Sequence, residues 1–343
     1  MNAIWDDMGY SIYSLGSNGS GQLGLQHKDD CSEPERVTID FTSPPKQIVA
    51  GGNHTVVLRD DGNVTAFGDV DHSHGLSTAK LTAKLVSATW AATIVAGTDG
   101  LLYSLGEGAN GELGLGEGIT QTPNLQSIPD FPPEGAVVVR IASCMAHTVA
   151  VLSNGEAWGW GNGRKGQLGE LAGVIWSPRK IACLPFPASD VVCGKDFTCI
   201  LGNRSKGEIH LLGLGKNDRF GLRASFTPAE SNFRRMAASW GSVHVLHQDG
   251  RLHGYGRNDH GQLPPRNLPA IQSFAAGSEH CVAISKAGKV LAWGWGEHGN
   301  CGEPTDPNGD VKNCWNEIGV PDRPVAVFAG CATTFVVIEN GTA

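Results

Sequence analysis

Short apolar runs rich in Val, Ile, Ala and Thr recur along the chain, each closed by a polar turn. The clearest is Ile48-Val-Ala-Gly-Gly-Asn-His-Thr-Val-Val-Leu-Arg-Asp-Asp-Gly62. It reads as an apolar strand ending in small residues, a polar turn, a second strand and an Asp-Gly turn. The same phrase returns at residues 85–100, 139–155, 191–207, 236–250 and 274–288. In the copy from Val139 the pattern predicts strands near 139–143, 147–152 and 156–161, with a weaker fourth around 178–181. Strand two there, His147-Thr-Val-Ala-Val-Leu, alternates and is β-branched. Asn154-Gly155 is expected to be a hairpin turn in which both central residues tolerate positive φ.

A second phrase follows each copy: an aromatic residue or Leu, then Gly, a polar stretch, and Gly-Gln-Leu-Gly or a decayed form. Its leading glycines are Gly16, Gly68, Gly106, Gly161, Gly213, Gly256 and Gly294, which span 278 residues in six intervals of about 46. That period is the length of one propeller blade and too short for an independent domain. The first Gly-Gln-Leu-Gly phrase, at residues 10–25, has no strand pair before it, and the strand pair at 325–341 has no such phrase after it. The two halves complete each other, and a ring closed this way leaves no open sheet edge. The expected fold is all-β: one seven-bladed β-propeller of four-stranded blades over residues 1–343, closed by a composite blade from both termini. Small residues ending strand one suit a crowded axis, where a larger side chain would clash.

This resembles the regulator-of-chromosome-condensation repeat family, with its Ala-Gly-x-x-His-Thr, Asp-Gly, Trp-Gly and Gly-Gln-Leu-Gly consensus, and the resemblance covers residues 10–341. Within it the chain is most similar to the fungal alpha-tubulin suppressor propellers. The resemblance implies a heterodimer with a small metal-carrying CSL zinc-ribbon-type protein, used in diphthamide synthesis and Elongator-dependent tRNA wobble-uridine modification. It offers one alternative, guanine-nucleotide exchange on a small Ran-type GTPase.

Composition narrows the classes further. Gly accounts for 47 residues, and charged residues are only 17%, which fits neither a disordered chain nor a coiled coil. A net charge of −8 argues against binding driven by phosphate neutralisation, so no direct nucleic-acid partner is expected. Nine cysteines form no Cys-x-x-Cys pair and several sit in apolar strands, which suggests a reducing compartment. The N-terminus lacks a secretory pattern, and no apolar run approaches the roughly 18 residues of a membrane span. A cytoplasmic and also nuclear location is expected, with no membrane partner.

Catalytic patterns are sparse. Gly-x-Gly-x-x-Gly occurs at 106–111, 161–166 and 294–299, but between strands and not before a helix, so these are repeat glycines. His54, His147 and His244 lie at or near the start of strand two and read as buried groups bonded to a neighbouring repeat. His72-Ser-His74 offers two ligands without a third nearby and reads as a solvated loop. Asp60, Asp61, Asp99 and Asp249 are explained by turn chemistry. Trp158, Trp160, Trp293 and Trp295 belong to strand three and read as core. No catalytic residue, cofactor or metal site is expected, and the chain reads as no enzyme.

In a four-stranded blade the strand one–two turns and the strand three–four loops emerge on one face, and the Asp-Gly hairpins on the other. The first face carries Trp240, Asp196 and Glu279 near the axis, beside Trp90. Farther out it carries Asp71, His72, Asp218, Arg219, Asp259, Glu297 and His298. Aromatic anchors amid polar groups suit a protein partner. The long insertion at 303–324 reads as an ordered loop, with Trp315 as an anchor or as a plug on the propeller.

Overall fold

A computed structural model describes residues 9–69, 75–76, 80–216, 218–226 and 232–341. Its seven antiparallel sheets form a ring in which each innermost strand contacts the innermost strands of the sheets on either side. The third blade shows the unit: Val138–Cys144 innermost, then His147–Leu152, Ala157–Asn162 and, outermost, Val174–Lys180. His147–Leu152 is buried at every residue. A blade is sandwiched between two others, so both faces of its second strand are covered, and the alternation read from the sequence separates two buried faces.

The turn after that strand departs from expectation. Ser153, Asn154 and Gly155 form a three-residue loop in which only Gly155 has positive φ, 81°. This is a type I turn followed by a left-handed glycine. Asn154 earns its place by accepting the Glu156 N–H at 3.0 Å. Asp61, Asp99 and Asp249 do the same for Asn63, Leu101 and Arg251, so turn geometry accounts for these aspartates.

The chain ends share one sheet, ordered from the outside Cys31–Phe41, Tyr10–Gly16, Thr333–Glu339, Arg323–Ala329. Tyr10–Gly16 pairs with Thr333–Glu339 in unbroken register from Tyr10 opposite Glu339 to Gly16 opposite Thr333. Four sheets hold four strands, and three hold three among the described residues. In the fifth blade the outermost position falls to a segment carrying Pro264, Pro265 and Pro269, which cannot donate to a ladder. In the fourth, the loop after Ile209–Gly213 carries one helical turn, Leu222–Ser225, which packs on Leu252–Gly256 of the fifth blade. The 303–324 insertion is not a loop throughout: Asp310–Ile318 is a strand completing the sixth blade. No helix among the described residues is long and apolar enough to cross a membrane.

Two devices bind blade to blade. His54, His147 and His280 each place Nε2 about 3.0 Å from the hydroxyl of Thr93, Thr198 and Thr334 on the next blade's second strand. His244 instead meets Ser239 and the Cys281 thiol. Trp160 and Trp293 are fully buried, and their indole N–H groups donate to Glu112 and Gln262 carbonyls of the preceding blade's loop. In that loop the Gln-Leu phrase folds itself. The Gln167 amide oxygen accepts the Lys165 N–H at 2.9 Å, while Leu168 is buried.

The seven leading glycines share one conformation, with φ between 93° at Gly68 and 115° at Gly16. A Cβ on Gly161 would lie 2.4 Å from the Ala146 carbonyl oxygen and 2.8 Å from His147 Cα. Gly161→Ala is therefore expected to cost about 3 kcal/mol in urea denaturation. Gly288→Ala, where a Cβ meets nothing within 4 Å, should cost about 1 kcal/mol. Equal losses at both positions would contradict the close-approach argument.

Candidate partner-binding face

Seven strand one–two turns ring the axial channel on one face. The strands beneath them end in Ala50, Ala88, Ser143-Cys144, Cys193, Ala238, Ala276 and Ala329, which leave a narrow channel of about 120 Å³. Above them the turns are laced together through the backbone. Gly52 N–H donates to the Trp90 carbonyl and Trp90 N–H to that of Met145. Lys195 N–H donates to Trp240, Trp240 to Ser278, and Ser278 to Gly330, all between 2.8 and 3.0 Å. Trp90 and Trp240 thus have both backbone polar groups engaged by neighbouring blades.

Their rings meet over the channel mouth, with centroids 6.2 Å apart and planes at 43°. Trp90 is 42% exposed. Trp240 is half-buried, less open than the sequence suggested, because the Lys195 ammonium lies 5.1 Å from its ring centre. Each indole forms one wall of a cleft between blades. Trp90 closes a cleft of about 380 Å³ with Asn53, Asp69, Glu107 and Gln121. Trp240 closes one of about 290 Å³ with Lys195, Asp196, Asp218, Arg219, Arg257 and Glu279.

The second cleft collects five expected site residues: Trp240, Asp196, Asp218, Arg219 and Glu279. It also corrects the expectation of an indole ringed by free acids. Asp218 uses both carboxylate oxygens on the N–H groups of Leu222 and Arg223, at 2.9 and 2.6 Å, to hold the helical turn. Glu279 is 2% exposed and is bonded by Arg257 and by Gln262 Nε2 at 2.7 Å. Arg257 Nε also donates to Asp259 at 2.6 Å. Burial pushes the Glu279 carboxyl up despite these bonds. Burial also pushes the more exposed Asp259 up, but its bonds from Arg257 and Gln262 prevail and hold it at about 2. The cations of Arg219 and Arg257 lie 5.2 and 5.1 Å from the Phe220 ring. The cleft is amphoteric: an aromatic floor, a saturated Arg257 clamp, and Lys195, Asp196 and Arg219 at the opening.

Arg257 and Phe220 were not singled out from sequence. Phe220 replaces Leu in a decayed Gly-Gln-Leu-Gly phrase, and Arg257 follows a leading glycine. Those departures from the repeat were the available signal. Glu297 and His298 stand on the sixth blade's loop, outside both clefts, where His298 Nδ1 meets Asp30 at 2.8 Å. Trp315 is half-buried in the outermost strand of that blade and packs against its core, which favours the plug over the anchor. Asp71 and His72 lie outside the described residues. All nine cysteines are unpaired. Among the described residues, one group of three metal-ligand types converges, at His27, Cys31 and Glu35.

The buried histidines predict a pH dependence of stability. Burial pushes His147, His244 and His280 down to about 4. The unfolded chain takes up these protons near 6.5 and the folded chain does not, so stability is full above 6.5 and falls as pH drops towards 4. Three such groups add a slope of at most about 4 kcal/mol per pH unit. Urea midpoints between pH 7 and 5 should show it, and His147→Gln should lower the slope by about a third. A flat profile in the parent protein would contradict the argument.

Comparison with known proteins agrees with this architecture. The regulator of chromosome condensation (RCC1) repeat profile matches residues 11–58 and 154–201, and a second profile of that repeat matches 46–75 and 271–300. An RCC1 repeat-containing protein of Schizosaccharomyces pombe is 30% identical, over 96% of this chain and 99% of its own. The mouse secretion-regulating guanine nucleotide exchange factor is 26% identical over 96% of this chain and 83% of its own. Among solved structures, Prp20p of Saccharomyces cerevisiae superposes with a TM-score of 0.80 at 19% identity, covering 99% of this chain and 96% of that one. The glycine conformation, the blade-linking histidines and the composite blade are thus those of a propeller that belongs to the regulator-of-chromosome-condensation repeat family.

Proposed function

We propose that this propeller is a non-enzymatic protein-binding module whose channel-mouth face grips a small protein partner. The observation that carries this is the Trp90–Trp240 pair, an open aromatic platform on a hydrogen-bonded rim with a polar cleft on either side. Large aromatic side chains at the centre of a polar surround are the usual energetic anchors of a protein interface. The partner we favour is a small metal-carrying CSL-type protein, bound as a heterodimer, in support of diphthamide synthesis and Elongator-dependent tRNA modification in cytoplasm and nucleus. What speaks for it is charge: Asp69, Glu107 and Asp196 at the cleft openings suit a cationic or metal-bearing patch. No nucleic acid or membrane is required.

A second reading is guanine-nucleotide exchange on a small Ran-type GTPase. The similarity to the secretion-regulating guanine nucleotide exchange factor and to regulators of chromosome condensation supports it. One paired experiment separates the two: gel filtration with the CSL protein, and labelled GDP release from the GTPase at micromolar propeller. Co-elution without faster release supports the first reading, and faster release without co-elution supports the second. Neither effect would remove both.

A further inference from the structure

We propose that His27, Cys31 and Glu35 form a binding site for a borderline divalent metal ion of the zinc class, on the rim of the composite blade. The proposal is independent of the partner reading. His27 lies in the loop after Tyr10–Gly16, Cys31 opens the outermost strand, and Glu35 follows within it. Register slips here: Gly16 pairs with Cys31 and Ser14 with Glu35, so four steps on the outer strand oppose two on its neighbour. Bulges of this kind re-aim side chains, and Pro34 sits inside this one.

The distances suit one ion. Cys31 Sγ is 3.4 Å from Glu35 Oε1 and 4.0 Å from His27 Nε2, and His27 Nε2 is 3.2 Å from Glu35 Oε2. A tetrahedral zinc with its usual bond lengths needs about 3.6 Å between sulfur and either lighter ligand, and about 3.4 Å between nitrogen and oxygen. Each observed edge is within about 0.4 Å of that, with sulfur nearest one carboxylate oxygen of Glu35 and nitrogen nearest the other, so both oxygens face the ion. Three protein ligands of mixed type, with a fourth position open, is a recurrent arrangement for zinc. The fourth side is a shallow depression bearing Asp29, Asp30 and Glu33, whose charge favours a cation. His27 Nδ1 now accepts the Asp29 N–H at 3.2 Å. A metal on Nε2 leaves the ring proton on Nδ1, so loading should open that contact and shift the Asp29 amide resonance.

The test titrates Co²⁺ into the full-length protein. The expected result is one equivalent bound, with sulfur-to-cobalt charge-transfer and tetrahedral d–d bands that Zn²⁺ bleaches. Cys31→Ser, His27→Ala and Glu35→Gln should each weaken binding by about 100-fold or more. Cys183→Ser and Cys314→Ser, which alter exposed thiols, should leave it unchanged. Thermal melts check that the variants fold; if Cys31→Ser does not, His27→Ala and Glu35→Gln decide. Failure to bind Co²⁺, or bands that survive the three site variants, would overturn the site.

Discussion

Removal of residues 325–343 is expected to abolish the monomeric fold. The deletion takes most of Arg323–Ala329 and all of Thr333–Glu339, the two inner strands of the composite blade. It removes Phe335, Val336, Val337 and Ile338, each at most 1% exposed. At about 1.5–3 kcal/mol per buried side chain, those four alone approach the whole stability of an ordinary domain, about 5–15 kcal/mol. The loss also bares the ladder edge of Tyr10–Gly16 and opens the ring between the first and sixth blades. Gel filtration should show aggregate, and thermal melts no cooperative transition. A monomer with an unchanged melting temperature would refute closure by the two termini.

The second large effect is expected on the binding face. Trp240→Ala should weaken the partner by about 2 kcal/mol, roughly thirtyfold, and Trp90→Ala by a similar amount, because each indole supports the other across the channel mouth. Charge reversal at Asp218 is a poor probe of the interface, since it removes the cap of the Leu222–Ser225 turn. Asp196→Lys is the cleaner variant: it should mainly slow association and change its salt dependence. Asp61→Lys and Asp249→Lys, on hairpins of the opposite face, should change little. Calorimetry and stopped-flow with the CSL protein, or with the GTPase if that is the one that binds, give both numbers. Full binding by Trp240→Ala with loss in the hairpin variants would mean that the opposite face is the interface.

What was legible in the sequence is what the backbone demands of every blade. The seven leading glycines are visible because one positive-φ position recurs in each repeat, and at Gly16, Gly68, Gly161, Gly213, Gly256 and Gly294 there is no room for a Cβ. The small residues at the axis and the Asp-Gly hairpins are visible for the same reason, as local constraints met by few residue types. The histidine contacts followed from the repeat as well, because strand two always faces the next blade. The candidate site was legible only as a choice of face. Whether Asp218 caps a turn, or Glu279 is claimed by Arg257, depends on how loops from different blades meet, and no spacing in the chain records it. The segment carrying Trp315 was read as loop because Asp310–Ile318 is an outermost strand of mixed polar composition, which lacks the β-branched alternation of an inner one. The His27, Cys31 and Glu35 cluster was missed because a bulge, not a motif spacing, brings the three side chains together.

The central claim is that the channel-mouth face is the interface, and hydrogen exchange on the complex tests it most directly. Peptides covering the turns at Trp90, Lys195–Asp196, Trp240 and Ser278–Glu279 should exchange more slowly when the partner is bound, while those over the hairpins at Asp61, Asp99, Asn154 and Asp249 keep their free rates. Protection confined to the hairpins, with the tryptophan turns unchanged, would contradict it.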